Sequence, residues 1–160
     1  MSEVFSLPHD ARAKLDVWRA GEAKIVFTNG VFDLLHRGHV EYLEEARALG
    51  DRLVVGLNSD ASARRLKGPS RPIVGEADRL ALVSALACVD LALLFDDDTP
   101  LALIEAVAPD VLVKGGDYRV ADIVGREIVE ARGGRVATIA LRPGLSTSEI
   151  VKRIREERGA

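Results

Sequence analysis

Lys24-Ile25-Val26-Phe27 runs directly into Thr28-Asn29-Gly30-Val31-Phe32-Asp33, and His36-Arg37-Gly38-His39 follows at the mouth of a helical pattern. The β-branched and aromatic residues of the first stretch predict a strand, and the small polar residues after it predict the turn that ends it. Two imidazoles flanking a glycine at a helix N-terminus set backbone N–H groups and two switchable donors around one anion. Gly38 has no side chain to hold a phosphate away from the backbone. The segment therefore reads as a phosphate site built on a strand-turn-helix unit.

Working outward, residues 8–20 hold Ala11, Leu15 and Trp18 at helical spacing behind Pro8, which predicts a short helix packed on the outside of the fold. The helix after His36 carries Val40, Leu43, Ala46 and Leu49 on one face and stops at Gly50. A second strand, 52–57, ends at Asn58-Ser59-Asp60, which can cap a short basic helix over 61–66. A basic loop over 67–72, a helix over 76–87 and an apolar strand over 91–95 follow. Thr99 is placed to cap a helix with Pro100 at its first position, closed by Pro109. A strand over 111–113, a helix over 122–131, a strand over 136–141 and an amphipathic helix with Ile150, Val151 and Ile154 inward complete the chain.

Strands alternating with helices predict an α/β fold: a Rossmann-like doubly wound parallel sheet with helices on both faces. Ligands in such sheets sit beyond the carboxyl ends of the strands. The expected organisation is an N-terminal helical extension, 1–21, and a single globular domain, 22–160.

The 160 residues are 48% apolar with a net charge of −3, and Lys+Arg number 22 against 25 Asp+Glu. That balance predicts no nucleic-acid or membrane partner, so positive potential must be local to a cleft. Cys88 is the lone cysteine and sits in an apolar stretch, which predicts a buried thiol and a reducing, cytoplasmic setting. No stretch approaches the length of a membrane span or a signal-peptide core.

Further segments repeat the anion theme. Lys67 and Arg71 lie in a Gly/Pro loop suited to clamping phosphates. Lys114-Gly115-Gly116-Asp117-Tyr118 follows a strand with two glycines that let a base or ribose approach the backbone. Ser146-Thr147-Ser148-Glu149 forms a capping box and also offers three hydroxyls and free N–H groups to phosphate.

These motifs together resemble the HIGH-motif nucleotidyltransferase superfamily in its cytidylyltransferase-like branch, over roughly residues 22–156. The runs Lys67–Ile73 and Pro109–Tyr118 look most like the heptose 1-phosphate adenylyltransferases, which in many relatives are joined to a sugar kinase; here the kinase is expected as a separate chain. The resemblance implies His36, His39, Lys67 and Lys114 as catalytic. It implies Thr28, Asn29, Gly30, Phe32, Asp33, Gly38, Arg71, Gly115, Gly116, Asp117, Ser146, Thr147 and Ser148 as nucleotide-binding. Arg142 to Leu145 are expected to line the base pocket, while Arg79 is left between a ligand contact and a structural role. Val31, where relatives often have cysteine, and Gly75, at a site often polar, depart from the pattern without removing a phosphate ligand.

The activity so implied is adenylyl transfer from ATP to D-glycero-β-D-manno-heptose 1-phosphate, giving ADP-heptose and pyrophosphate for lipopolysaccharide core synthesis. Mg²⁺ is expected on the ATP phosphates, since no metal-ligand cluster stands out and Asp96-Asp97-Asp98 reads as a solvated loop. Relatives form homodimers, and no stripe of this sequence marks such an interface. The alternatives are a cytidylyltransferase acting on glycerol 3-phosphate or a similar alcohol phosphate, and a nucleotide-binding regulatory module without turnover.

Overall fold

A computed structural model describes residues 6–157; residues 1–5 of the expected extension and 158–160 of the expected domain lie outside it. Five parallel strands form one sheet in the order β3-β2-β1-β4-β5: β1 (Ile25–Gly30), β2 (Arg52–Asn58), β3 (Leu91–Phe95), β4 (Val111–Gly115) and β5 (Arg135–Ile139). The strand order reverses between β1 and β4. There the ladder covers only Val26–Val111 and Phe27–Leu112, whereas β1 pairs with β2 along its whole length. Past Phe27 the two central strands part, and a crevice opens at their carboxyl ends.

The period-2 alternation of the strands makes two cores. Ile25, Phe27, Val54 and Leu112 face α1 (His9–Ala20), α5 (Leu101–Val107) and α6 (Arg126–Ala131). Val26, Leu53, Val55, Val111 and Val113 face α2 (Arg37–Arg47) and α4 (Glu76–Ser84). This is the doubly wound sheet that the alternating sequence pattern predicts. Helix α1 does more than cover the exterior, because Leu7, Ala11 and Leu15 are buried members of the first core.

The amino ends of the strands are tied by aspartates. Asp51 Oδ2 accepts from Lys24 N at 2.7 Å, Asp110 Oδ2 accepts from Ile25 N at 2.7 Å, and Asp90 Oδ2 accepts from Leu53 N at 2.8 Å. Each carboxylate satisfies the leading N–H of a neighbouring strand, a group that the parallel ladder leaves over. Asp90 also accepts from Arg47 Nε and Arg52 Nη1, both at 3.0 Å.

Several local expectations are revised. Pro100 is the residue preceding α5 rather than its first member, and no side chain caps that helix. The expected helix over 122–131 is split into a 3-10 turn, Val120–Asp122, and α6, because Gly125 takes φ 89. A Cβ at Gly125 would stand 2.7 Å from Ile104 Cδ1, so glycine is required where the chain breaks. Cys88 is half-buried, packed against the second core, and burial raises its thiol pKa. In α7 (Thr147–Glu157) Ile150 and Val151 are half-buried, but Ile154 is 54% exposed because the helix meets the body only through its first turns.

Replacing Asp90 by Ala removes three acceptor contacts at a partly buried site and is expected to cost ~2 kcal/mol in urea unfolding. Asp90→Asn, which keeps an acceptor for Leu53 N, should cost about half as much. Equal losses for the two variants would show that shape, not hydrogen bonding, matters there.

Candidate active site

The chain leaves β1 through a strained loop. Phe32 and Leu34 have φ of 51° and 47°, a left-handed conformation that costs side-chain-bearing residues on the order of 1–3 kcal/mol each. Asp33, 3% exposed, holds the loop. Its carboxylate accepts from Ile73 N at 2.8 Å, Val74 N at 2.9 Å and Arg71 Nη1 at 3.3 Å, and its carbonyl accepts from Thr147 Oγ1 at 2.6 Å. Of the two roles open to Asp33 in the sequence, the structure supplies the loop-fixing one. Arg79 is likewise structural: 1% exposed, it donates to Val31 O, Val74 O and Asp60 Oδ1 at 2.7–2.9 Å.

His36 precedes α2 in extended conformation and His39 lies on its first turn, so the two rings converge. They stack with centroids 3.8 Å apart and an interplanar angle of 22°, and the Phe32 ring meets His39 edge-on at 5.3 Å. His36 N donates to His39 Nδ1 at 3.4 Å, which leaves the His39 proton on Nε2. Burial first, then the neighbouring His36, depresses the His39 pKa to about 4, and burial lowers that of His36. Both rings are therefore neutral N–H donors at pH 7. His36 Nδ1 is buried without a partner. A Cβ on Gly38 would stand 3.0 Å from His36 Nδ1 and 3.2 Å from Leu145 Cβ, so this glycine lets the ring and the loop before α7 close together.

Lys67 ends α3 (Asp60–Lys67), and Lys114 sits on β4 with Nζ 5.4 Å from the Tyr118 ring centroid. Burial, with the charge of Lys67 second, lowers the Lys114 pKa. Ion pairs around the crevice join Arg71 to Asp33, Arg79 to Asp60, and Arg37 and Arg142 to Glu41, leaving both lysines unpaired among the described residues. At the opposite wall Ser146 Oγ accepts from Glu149 N at 3.1 Å, and Ser148 Oγ lies 3.5 Å from Arg71 Nη2.

These groups line one cleft of about 560 Å³. Asn29, Gly30, Phe32, Asp33, His36, Gly38, His39, Lys67, Arg71, Lys114, Gly115, Ser146, Thr147 and Ser148 all reach it, as do Arg142 and Leu145. Thr28, Gly116 and Asp117 are not among its lining residues. Thr28 is fully buried, and its hydroxyl pairs with Tyr42 Oη at 2.6 Å beneath the floor. The turn after β2 is spent internally: Ser59 Oγ accepts from Ser62 N at 3.0 Å to cap α3, and Asp60 holds Arg79. Asp96 and Asp98 bond Ser59 and Arg65, so that acidic loop anchors α3.

Tyr42 and Leu141 line the cleft without having been singled out in the sequence, and Val31, noted there only as a departure from the family pattern, lines it too. Tyr42 is the informative omission. Its place on α2 after His39 puts it on the same helix face, a spacing that was available to be read. Burial pushes its pKa up to about 12, so it stays a protonated donor. A Cβ on Gly115 would stand 3.0 Å from the Tyr42 ring and 2.9 Å from Leu141 Cδ2, which explains the glycine at this strand end.

The assembly offers neutral imidazole donors, two unpaired ammonium groups and a hydroxyl-rich helix start around one space. Its one carboxylate, Asp33, is fully engaged. Such a site compensates negative charge, and any step that needed a base would have to draw on a neutral imidazole nitrogen rather than on a free carboxylate.

The depressed His39 pKa carries a sign. The unfolded imidazole binds its proton near pH 6.5 and the folded one near 4, so stability falls as pH drops through that window, by ~3 kcal/mol for this group. Imidazole NMR should place the His39 midpoint near 4, and His39→Gln should flatten that part of the stability profile. A midpoint near 6.5 would contradict the buried, neutral ring.

The cytidylyltransferase-like family model matches residues 27–154. The bifunctional protein HldE of Citrifermentans bemidjiense is 61% identical over 131 residues, covering 82% of this chain and 27% of the relative. HldE of Magnetococcus marinus is 57% identical over 144 residues, covering 90% and 30%. The chain thus spans less than a third of the length of these curated relatives. A crystal structure described as the lipopolysaccharide core biosynthesis protein from Thermoplasma volcanium superposes with a TM-score of 0.62 at 35% identity, over 75% of this chain and 97% of that one. With the fold, the paired imidazoles and the family match in agreement, the chain belongs to the cytidylyltransferase-like family of nucleotidyltransferases.

Proposed function

We propose that the chain transfers the adenylyl group of ATP to D-glycero-β-D-manno-heptose 1-phosphate, in the cytoplasm, with residues 22–160 as the catalytic domain and 1–21 as its helical extension. The observation that carries this reading is the meeting of His36, His39, Lys67, Lys114 and Ser146–Ser148 around one cleft. The identity to HldE proteins and the likeness to a lipopolysaccharide core biosynthesis protein support the sugar-nucleotide product. Among the described residues no helix is long and apolar enough to cross a membrane.

A sugar 1-phosphate has a second pKa of about 6 and is mostly dianionic at pH 7, so it needs no base to attack. An oxygen of that phosphate attacks the α-phosphorus in line. The bond from the α-phosphorus to the bridging oxygen breaks, and pyrophosphate leaves with the electron pair. Nε2–H of His39 and the His36 ring donate to the α-phosphate oxygens, where charge builds in the transition state. Lys114 and Lys67 offset the crowding of two phosphates, and the Ser146–Ser148 segment receives the outer phosphates. The Tyr118 ring near Gly116 and the Leu141 side chain near Gly115 offer apolar surface that suits the base.

Magnesium fits this chain only as a companion of ATP. Among the described residues no group of three or more His, Cys, Asp or Glu could hold an ion, and the Asp33 carboxylate is already committed to Ile73, Val74 and Arg71. Bound to the triphosphate, Mg²⁺ would neutralise the leaving pyrophosphate; the protein's own contribution is the donor set above.

Incubation with ATP and heptose 1-phosphate should release pyrophosphate, and His39→Ala should lower kcat on the order of 10²–10³-fold. Unchanged turnover in that variant would remove His39 from the chemistry. Faster turnover with CTP would reassign the base.

A further inference from the structure

A second groove, of about 460 Å³, opens on the outer side of α7 and shares Arg71 and Ser148 with the main cleft. Arg71 and Ser148 form the partition. The Arg71 guanidinium reaches Asp33 at 3.3 Å on one side and Ser148 Oγ at 3.5 Å on the other. Beyond them Lys152 and Arg155, at helical spacing from Ser148, line the groove together with Glu156. Lys152 contacts Glu156 only at 3.9 Å, with both side chains more than 60% exposed, so that pair is weak. Counting Arg71, Lys152 and Arg155 against Glu156, the groove carries a net charge of +2 on a chain whose total is −3.

Cations therefore line both spaces, Lys114, Lys67 and Arg71 in the cleft and Arg71, Lys152 and Arg155 in the groove, with Arg71 common to the two. The reaction under "Proposed function" discharges a compact polyanion at the Ser148 end of the cleft. We propose that the groove between Arg71 and α7 is a diphosphate site, holding inorganic pyrophosphate after the bond to the α-phosphate has broken and passing it to solvent. This rests on the polyphosphate reading of the cleft. Arg71 exchanges part of its contact with Asp33 and Ser148 for the departing anion, and Lys152 and Arg155 receive it. The same site lets free pyrophosphate bind and inhibit from outside.

The test is product inhibition of the full chain by pyrophosphate, comparing wild type with the Lys152→Ala/Arg155→Ala double variant. Both side chains are exposed, so the fold is not at stake. The inhibition constant should rise about 5-fold, as loss of two exposed cation contacts implies, with KM for ATP moving less than 2-fold. Glu156→Gln should shift the constant the other way. Arg153→Ala, a charge loss on the same helix outside the groove, should leave it unmoved. An unchanged constant in the double variant would overturn the proposal. So would a parallel rise in KM for ATP, which would place the outer phosphate of the bound nucleotide there, or an equal rise in Arg153→Ala, which would reveal only a general field. Calorimetric titration of pyrophosphate into nucleotide-free protein separates this inference from the activity itself: a chain without turnover fails the functional reading, while the difference in pyrophosphate affinity still decides the groove.

Discussion

The buried carboxylate of Asp33 joins three pieces of chain that are remote in sequence. Through Ile73 N, Val74 N and Arg71 it fastens the loop after α3 to the exit of β1, and through its own carbonyl it takes the Thr147 hydroxyl at the start of α7. Without that junction nothing in the sheet would require the imidazole segment, the basic loop and the hydroxyl segment to face one another. It also offsets the left-handed conformations of Phe32 and Leu34, which the loop needs in order to turn from strand to helix within a few residues. The remaining geometry of the cleft follows from this fixed corner. Arg79 braces it from below by binding Val31, Val74 and Asp60.

The electrostatic character of the site comes from what is left unpaired. Most cations near the crevice are spent on carboxylates, but Lys67 and Lys114 have none among the described residues, and the two stacked imidazoles are held neutral by burial, with the neighbouring His36 adding to the effect at His39. Neutral rings next to two ammonium groups are poised for an anion, because an incoming phosphate accepts from their N–H groups and offsets the charge of the lysines. This division of labour suits an attacking phosphate that needs no deprotonation. A hydroxyl nucleophile would instead need a proton acceptor, and with Asp33 engaged that task would fall to an imidazole nitrogen.

Much of this was legible in the sequence because the signals are local. The run from Lys24 to His39 encodes strand, turn and helix start in consecutive residues, and alternating apolar segments encode the doubly wound sheet. What is less legible is what tertiary contacts decide. The Thr28 hydroxyl pairs with Tyr42, a partner that no local pattern names, and the helix over 122–131 looks continuous until Gly125 must pack against Ile104. Asp33 and Arg79 were ambiguous for the same reason: a turn-capping carboxylate and a surface arginine have the same local sequence as a buried strut. The three aspartates at the amino edge of the sheet carry no periodic signal at all, since each bonds a neighbouring strand rather than its own.

The central physical claim is that the imidazoles beyond β1 and the hydroxyls before α7 act on one polyphosphate chain. Its most direct test is an NMR titration with a non-hydrolysable ATP analogue, following the ring nitrogens of His36 and His39 and the backbone amides of Thr147 and Ser148 together. The account predicts that all four shift along a single saturation curve with one dissociation constant. Two separable constants, or a response in one set with the other silent, would contradict it.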